Sequence, residues 1–311
     1  MIKIREKMEE MLKLRASLGY DEVSCRNMLN PFMKFCEANY PDAETITKDM
    51  VDGWIKSHGY TTNTQSSFIC SLRNFCRYLC YMEPGSFFPG EEYDLKRIPY
   101  EAHPLDKDGL RVLFQAIDSY TPSTCGKQLH GDQIFPVLFR MMFCLGLRPG
   151  EPLRLRRDDV DLETGDVYIR QSKGHRDRHL FMSPELRELC GRYDNLHSKE
   201  RVYFFELKGK RMRTSWMTEN FKRIAGNAGL PSALRPYDLR HTFASQNLIR
   251  WMDEGKEAMD LMPYLSQFMG HSGLSQTCYY IHLLPEEIRR CAMIDWQKLD
   301  SIYGGSADED E

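Results

Sequence analysis

Four residues in this chain supply the parts for covalent attack on a phosphodiester without a metal ion. Tyr280 ends the segment Gly270-His271-Ser272-Gly273-Leu274-Ser275-Gln276-Thr277-Cys278-Tyr279-Tyr280, nine positions after His271. Upstream, Arg240 stands in Tyr237-Asp238-Leu239-Arg240-His241, and Arg148 in Gly146-Leu147-Arg148-Pro149-Gly150-Glu151. A phenol can act as the nucleophile, and guanidinium groups can neutralise the charge that builds on the non-bridging oxygens. Taken singly, each has a plainer reading. Arg148 and Glu151 would be an ordinary surface ion pair, and His271 a satisfied surface histidine.

The elements that must position these residues are marked by periodicity and punctuation. Ile134 to Leu147 reads as a strongly apolar helix, with Arg148 at its end. Val167-Tyr168-Ile169-Arg170 and His179-Leu180-Phe181-Met182 read as two strands flanking a polar turn, Ser172-Lys173-Gly174-His175-Arg176-Asp177. Ser183-Pro184-Glu185 opens a helix with a capping serine and a proline at its first position. From Thr214 the chain reads as helical almost to Ile302, broken at Gly229-Leu230-Pro231 and at Gly270, which ends a helix just before His271.

Residues 1–83 also read as helical. Thr47 caps a helix with Met50, Val51, Trp54 and Ile55 on one face, and Thr64 to Tyr81 puts Phe68, Leu72, Phe75, Cys76 and Leu79 on one stripe. Asn63, Gln65, Ser66, Arg73, Asn74 and Arg77 fall mostly outside that stripe; they are either the solvated face of a helical bundle or a clamp that meets DNA. Residues 84–104 carry Pro84, Pro89, Pro99 and Pro104 without periodicity and read as an extended linker. Asp106 then caps a helix whose buried face is Leu110, Leu113 and Phe114. The fold class is mainly α with a small β-sheet.

A chain of 311 residues favours about two domains. No apolar run approaches the ~20 residues that span a bilayer, and the charged N-terminus lacks the apolar stretch of a secretory signal. Ten cysteines are scattered without a Cys-x-x-Cys pair. They read as small core residues in a reducing compartment, with a zinc site near Cys76 and Cys80 as the alternative. The net charge of −3 speaks weakly against a nucleic-acid partner, but Lys199 to Arg240 holds ten basic residues against four acidic ones. Acid gathers in Asp308-Glu309-Asp310-Glu311, a tail (304–311) read as disordered. A basic face on a neutral body binds phosphate backbones. With no Walker loop and no convincing metal cluster, no cofactor is expected.

In their order, Gly-Leu-Arg148-Pro-Gly-Glu151, Leu239-Arg240-His-Thr-Phe-Ala-Ser and Gly270-His271-Ser followed by Tyr280 resemble the catalytic domain of the tyrosine recombinases, which include phage integrases, Xer-type resolvases and conjugative-transposon integrases. The resemblance covers roughly residues 105–290. It implies a mixed α/β catalytic domain over residues 105–303 and a helical, SAM-like core-binding domain over residues 1–83, the second a weaker match. By the same resemblance Arg148, Arg240 and His271 hold the scissile phosphate, Glu151 supports Arg148, Lys173 in the hairpin turn is the general acid, and Tyr280 is the nucleophile. Tyr279 would turn into packing, His241 would be structural, and His282 a weaker DNA or active-site contact. Tyr237 departs from the pattern, standing where histidine or lysine is commoner; a phenol donates a hydrogen bond but brings little positive charge.

The activity implied is site-specific recombination through a 3′-phosphotyrosyl intermediate, serving integration, excision, inversion or resolution. Double-stranded DNA with a specific core site is the expected partner, gripped by a homotetramer without membrane association, in the cytoplasm with the nucleoid. Arg73, Arg77, Arg176, Lys208, Lys210 and Arg211 are the candidate DNA contacts. Pro285 to Tyr303 reads as a tail helix, which the resemblance implies docks on a neighbouring protomer, with packing on its own domain as the alternative, and no additional arm-binding domain is expected before the clamp. A non-cutting DNA-binding protein on the same fold and a relaxing, type IB-like enzyme are the alternatives.

Overall fold

Caps and apolar stripes cut the first hundred residues into four helices, α1 (Ile2–Ser17), α2 (Glu22–Asn39), α3 (Lys48–His58) and α4 (Thr62–Met82). The computed structural model describes residues 2–83, 85–121, 131–170, 177–207 and 209–282, and the chain divides into two units after Tyr100. Asp21 accepts the backbone N–H groups of Val23 and Ser24 at the start of α2, and Thr61 accepts that of Thr64 at the start of α4. Such caps satisfy donors that a helix start leaves without intrahelical partners. Thr47 occupies the N-cap of α3, but its hydroxyl makes no capping bond.

The stripe of α4 is buried as its spacing predicts, and Phe68 meets Phe32 edge-on, which in turn meets Trp54. Ile55, expected on the apolar face of α3, is only partly buried. Residues 85–100 contain one short 3-10 turn (Glu91–Tyr93) and run against this unit. Tyr93 is buried and donates to Asp52 at 2.6 Å, while Asn63 brackets the backbone of Ile98 with both ends of its amide. The prolines prevent a helix here, and side-chain bonds to α3 and α4 hold the extended chain instead.

The second unit runs α5 (Lys107–Asp118), α6 (Gly131–Cys144), α7 (Gly150–Arg154), β1 (Asp166–Ile169), β2 (Arg178–Phe181), α8 (Pro184–Asn195), β3 (Glu206–Leu207), β4 (Lys210–Arg211), α9 (Thr214–Asn227), α10 (Asp238–Asp253), α11 (Ala258–Met269) and α12 (Leu274–His282). The two small sheets are antiparallel hairpins, with Asp166 opposite Phe181 and Ile169 opposite Arg178 in the first. Both of its strands begin one residue earlier than the sequence suggests. The pair β3–β4 was not anticipated, because two-residue strands show no alternation. As read, Asp106 and Ser183 cap α5 and α8.

Helix α6 is the centre of this unit's larger core, where Phe135, Leu138, Phe139 and Met142 pack with Leu180, Cys190 and Phe221. A second cluster joins α10, α11 and α12 through Leu248, Met262, Leu265, Met269, Cys278 and Ile281. Asp238 is fully buried at the start of α10, taking the backbone N–H groups of His103 and Arg235. The turn after α6 depends on Gly146, whose φ is +57°, and a Cβ there would stand 2.7 Å from Cδ1 of Phe243.

Gly146→Ala therefore combines a left-handed backbone cost with a clash in the core. It should lower unfolding free energy by about 2–5 kcal/mol in a denaturant titration. A loss below about 1 kcal/mol would mean that the Phe243 ring moves aside at little cost.

Candidate active site

Arg240 enters from α10 and is fully buried, yet among the described residues no carboxylate pairs with it directly. Its Nη1 donates to the carbonyl of Gly146 at 2.5 Å and its Nη2 to that of Met269 at 2.8 Å. These oxygens stand just past α6 and at the last residue of α11, where helices leave carbonyls without intrahelical donors and carry partial negative charge. The Nε of Arg240 has no hydrogen-bond partner among the described residues.

Two further guanidiniums converge on Glu151, which is buried in α7. Arg148 donates its backbone N–H to Oε2 at 2.9 Å, and its Nη1 lies 3.3 Å from Oε1. Arg148 Nη2 also reaches the carbonyl of Gly270 at 3.0 Å. Arg178, from β2, grips the same carboxylate with both arms at 2.9 and 2.8 Å and donates Nε to the carbonyl of Phe268 at 3.0 Å. Among the described residues, Arg148 and Arg178 thus both pair with this carboxylate, and Arg240 lies close enough for its charge to act on it.

Gly270 closes α11 in the left-handed conformation, φ +68°, and turns the chain so that His271 enters the site. His271 is buried, and its Nδ1 lies 2.7 Å from the hydroxyl oxygen of Thr277, one turn before Tyr280 on α12. The Tyr280 ring lies nearly parallel to that of His271, with centroids 6.0 Å apart, and 5.5 Å from that of His241. His241 in turn lies 4.9 Å from the ring of Tyr237. Tyr280 is only 2% exposed, whereas Tyr279 is half-buried.

The electrostatics follow from this crowding. Burial, then the charges of Arg240, Arg148 and Arg178, push His271 down to about 2, so its imidazole is neutral at ordinary pH. Burial and the neighbouring Arg240 also lower Arg148. Burial alone would raise Glu151, but the hydrogen bonds and charge of Arg178, then the charge of Arg240, outweigh it and hold the carboxyl at about 2.

Arg148, Glu151, Arg240, His271 and Tyr280 therefore meet in one place, with Tyr237 and His241 beside them. Lys173, Arg176, Lys208, the expected tail helix and the acidic tail lie outside the described residues, as does the side chain of His282. Lys210 and Arg211 are exposed on β4, and Arg77 on α4. Arg73 is engaged within its own unit. Its guanidinium donates to the carbonyls of Pro89 and Gly90 and pairs with Asp94.

Sequence reasoning missed Arg178 and Thr277. One signal for Arg178 was available, since it shares strand parity with the buried Leu180. A cation on the inward face of a strand needs a buried carboxylate. Thr277 lay inside the motif already quoted, one turn from Tyr280.

The phage integrase family model matches residues 105–287. The chain belongs to the phage integrase family. It is 29% identical over 291 residues to an integrase/recombinase-type protein of Sinorhizobium fredii, covering 89% of this chain and 90% of that one. It is also 26% identical over 242 residues to the tyrosine recombinase XerA of Thermococcus kodakarensis, covering 76% of each. Among solved structures, the XerH site-specific recombinase bound to a palindromic difH substrate superposes with a TM-score of 0.59 at 19% identity, covering 93% of this chain and 84% of that one. The mainly helical fold with small sheets is the one this integrase family shares.

The folded value of Glu151 lies below the ordinary 4.5, so its contribution to stability is present above that value and fades as pH falls towards about 2. Near neutrality Glu151→Gln should cost about 3–5 kcal/mol, because it leaves buried guanidiniums without their carboxylate. The gap between the variant and the wild-type integrase should narrow between pH 4.5 and pH 3 in urea titrations. A gap independent of pH over that interval would show that charge is not its source.

Proposed function

We propose that this integrase is a site-specific tyrosine recombinase that cleaves and rejoins DNA through Tyr280. The observation that carries the reading is the convergence of Arg148, Arg240 and His271 beside the Tyr280 ring. Guanidiniums gathered at one point can hold the charge that builds on a phosphodiester attacked by the nearby phenol. The XerH structure, solved with its DNA substrate, supports DNA as the ligand class.

In the proposed step the phenolic oxygen of Tyr280 attacks a DNA phosphorus and forms a 3′-phosphotyrosyl bond. The bond from phosphorus to the 5′ oxygen breaks, and that oxygen leaves as a hydroxyl. One proton is lost by the phenol and one is gained by the leaving group, so the step is neutral overall. Arg148 and Arg240 stabilise the charge on the non-bridging oxygens, His271 donates to one of them, and Lys173 protonates the leaving oxygen. Because the link conserves the phosphodiester's energy, a 5′ hydroxyl from another strand reseals it without ATP. Tyr280 is buried in the free protein, so engagement of DNA must uncover its hydroxyl.

Four protomers on two duplexes complete the exchange in this reading. The helical residues 1–83 serve as the clamp, and Arg77, Lys210 and Arg211, exposed in their units, are proposed backbone contacts with Arg176 and Lys208. The direction of the biological reaction follows from the DNA site rather than from this chemistry.

The test uses nicked suicide duplexes tiling the DNA that flanks the gene, with adducts resolved on denaturing gels. Wild-type protein and Tyr279→Phe should both form a covalent adduct, while Tyr280→Phe should bind the same duplex and form none. An adduct with Tyr280→Phe but not with Tyr279→Phe would reverse the assignment. Binding without any adduct would favour a non-cutting DNA-binding protein, and relaxation of supercoiled DNA lacking the site would favour a relaxing enzyme.

A further inference from the structure

Arg178 touches the helix that follows Arg148 and the helix that precedes His271, although it belongs to neither. Its forked face is spent on both oxygens of Glu151 in α7, and its Nε on the carbonyl of Phe268 in the last turn of α11. Its side chain is 9% exposed and its position is fixed by strand pairing, opposite Ile169. The packing against α11 is close, since a Cβ on Gly270 would stand 3.0 Å from Arg178 Nη1.

We propose that Arg178 is a positioning residue for DNA cleavage, setting where Arg148 and His271 present themselves to the phosphate. The proposal rests on the transesterase reading above. Two effects carry it. First, both oxygens of Glu151 accept from Arg178 at 2.9 and 2.8 Å, closer than the 3.3 Å contact from Arg148 Nη1. With Arg178 in place the carboxylate is satisfied and does not draw the Arg148 side chain away from the carbonyl of Gly270. Without it, Glu151 becomes a buried anion whose nearest cation is Arg148, and the shorter, two-armed pairing that results would turn that guanidinium towards α7.

Second, the bond from Nε to Phe268 fixes the end of α11 two residues before Gly270. His271 issues from that end, so its distance from Arg148 is set through Arg178 rather than by α11 alone. Arg178 does this with its donors directed at protein oxygens, which separates it from Arg148 and Arg240 as groups proposed to touch DNA.

The test compares Arg178→Gln, Arg178→Lys and the double variant Glu151→Gln/Arg178→Gln with the wild-type chain. Adduct formation is followed in single turnover at saturating nicked duplex, beside separate measurements of DNA affinity. Arg178→Gln should slow adduct formation roughly ten- to a hundredfold while affinity changes by less than about threefold. Arg178→Lys should recover part of the rate, because it keeps the charge but not the two-armed fork. The double variant should be no slower than Arg178→Gln, since Arg178 acts on Arg148 through Glu151.

An unchanged rate in folded Arg178→Gln, or a loss confined to affinity, would overturn the proposal. If Arg178→Gln does not fold, Arg178→Lys and the uncharged double variant decide, and a wild-type rate in either rejects the positioning role. Absence of adduct from the wild-type protein in the same assay would overturn the transesterase reading itself, and the proposal with it.

Discussion

Three guanidiniums held around a single buried carboxylate impose a condition that the second unit has to satisfy everywhere else. Each cation loses its water on burial, and one carboxylate cannot compensate all three. The balance comes from backbone carbonyls gathered at helix ends. Gly146 lies just past α6, Met269 ends α11 and Gly270 follows it, and each presents an oxygen to Arg240 or Arg148. Two helices must therefore end at the same point in space. Gly146 and Gly270, both at positive φ, are the residues that let the chain turn there.

This arrangement explains why the core is organised as it is. Helix α10 carries Arg240 among buried neighbours on most sides, with Leu239, Thr242, Ala244 and Leu248 all shielded. Asp238 secures its first turn by taking backbone donors from His103 and Arg235, and the hydroxyl of Thr242 accepts the N–H of Leu105. An arginine side chain is long and rotamer-rich, so a fixed guanidinium requires a fixed backbone beneath it. The packing of α6 against α10 and the polar ties to residues 103–105 provide that backbone.

Much of this was legible from sequence where the signal is local. The capping residues Asp106 and Ser183, the stripe of α4 and the glycine before His271 lie within a few positions of what they control. The motif residues were legible because their order along the chain carries the resemblance to the integrase family. Arg178 was not, because its partner is 27 positions away and a lone arginine in a short strand reads as surface. The partners of Arg73 were hidden for the opposite reason. Its place outside an apolar stripe suggested solvent, but the extended residues 85–100 cover α4 there and offer it carbonyls. The whole-chain charge of −3 carried little information, since the sign that matters is that of a few local groups.

The neutrality of His271 follows from the same excess. The cations proposed to hold a phosphate also keep a proton off the neighbouring imidazole, pushed down to about 2 in the free protein. A neutral ring can donate from only one nitrogen, and which one is governed by the partner of the other. Thr277, at 2.7 Å from Nδ1, can act as donor or acceptor and so accommodates either tautomer. A phosphodiester entering the site brings negative charge, offsets part of the repulsion from Arg240, Arg148 and Arg178, and moves His271 back towards its usual range. Under the proposed reaction, the ionisation of the histidine would then depend on occupancy of the site.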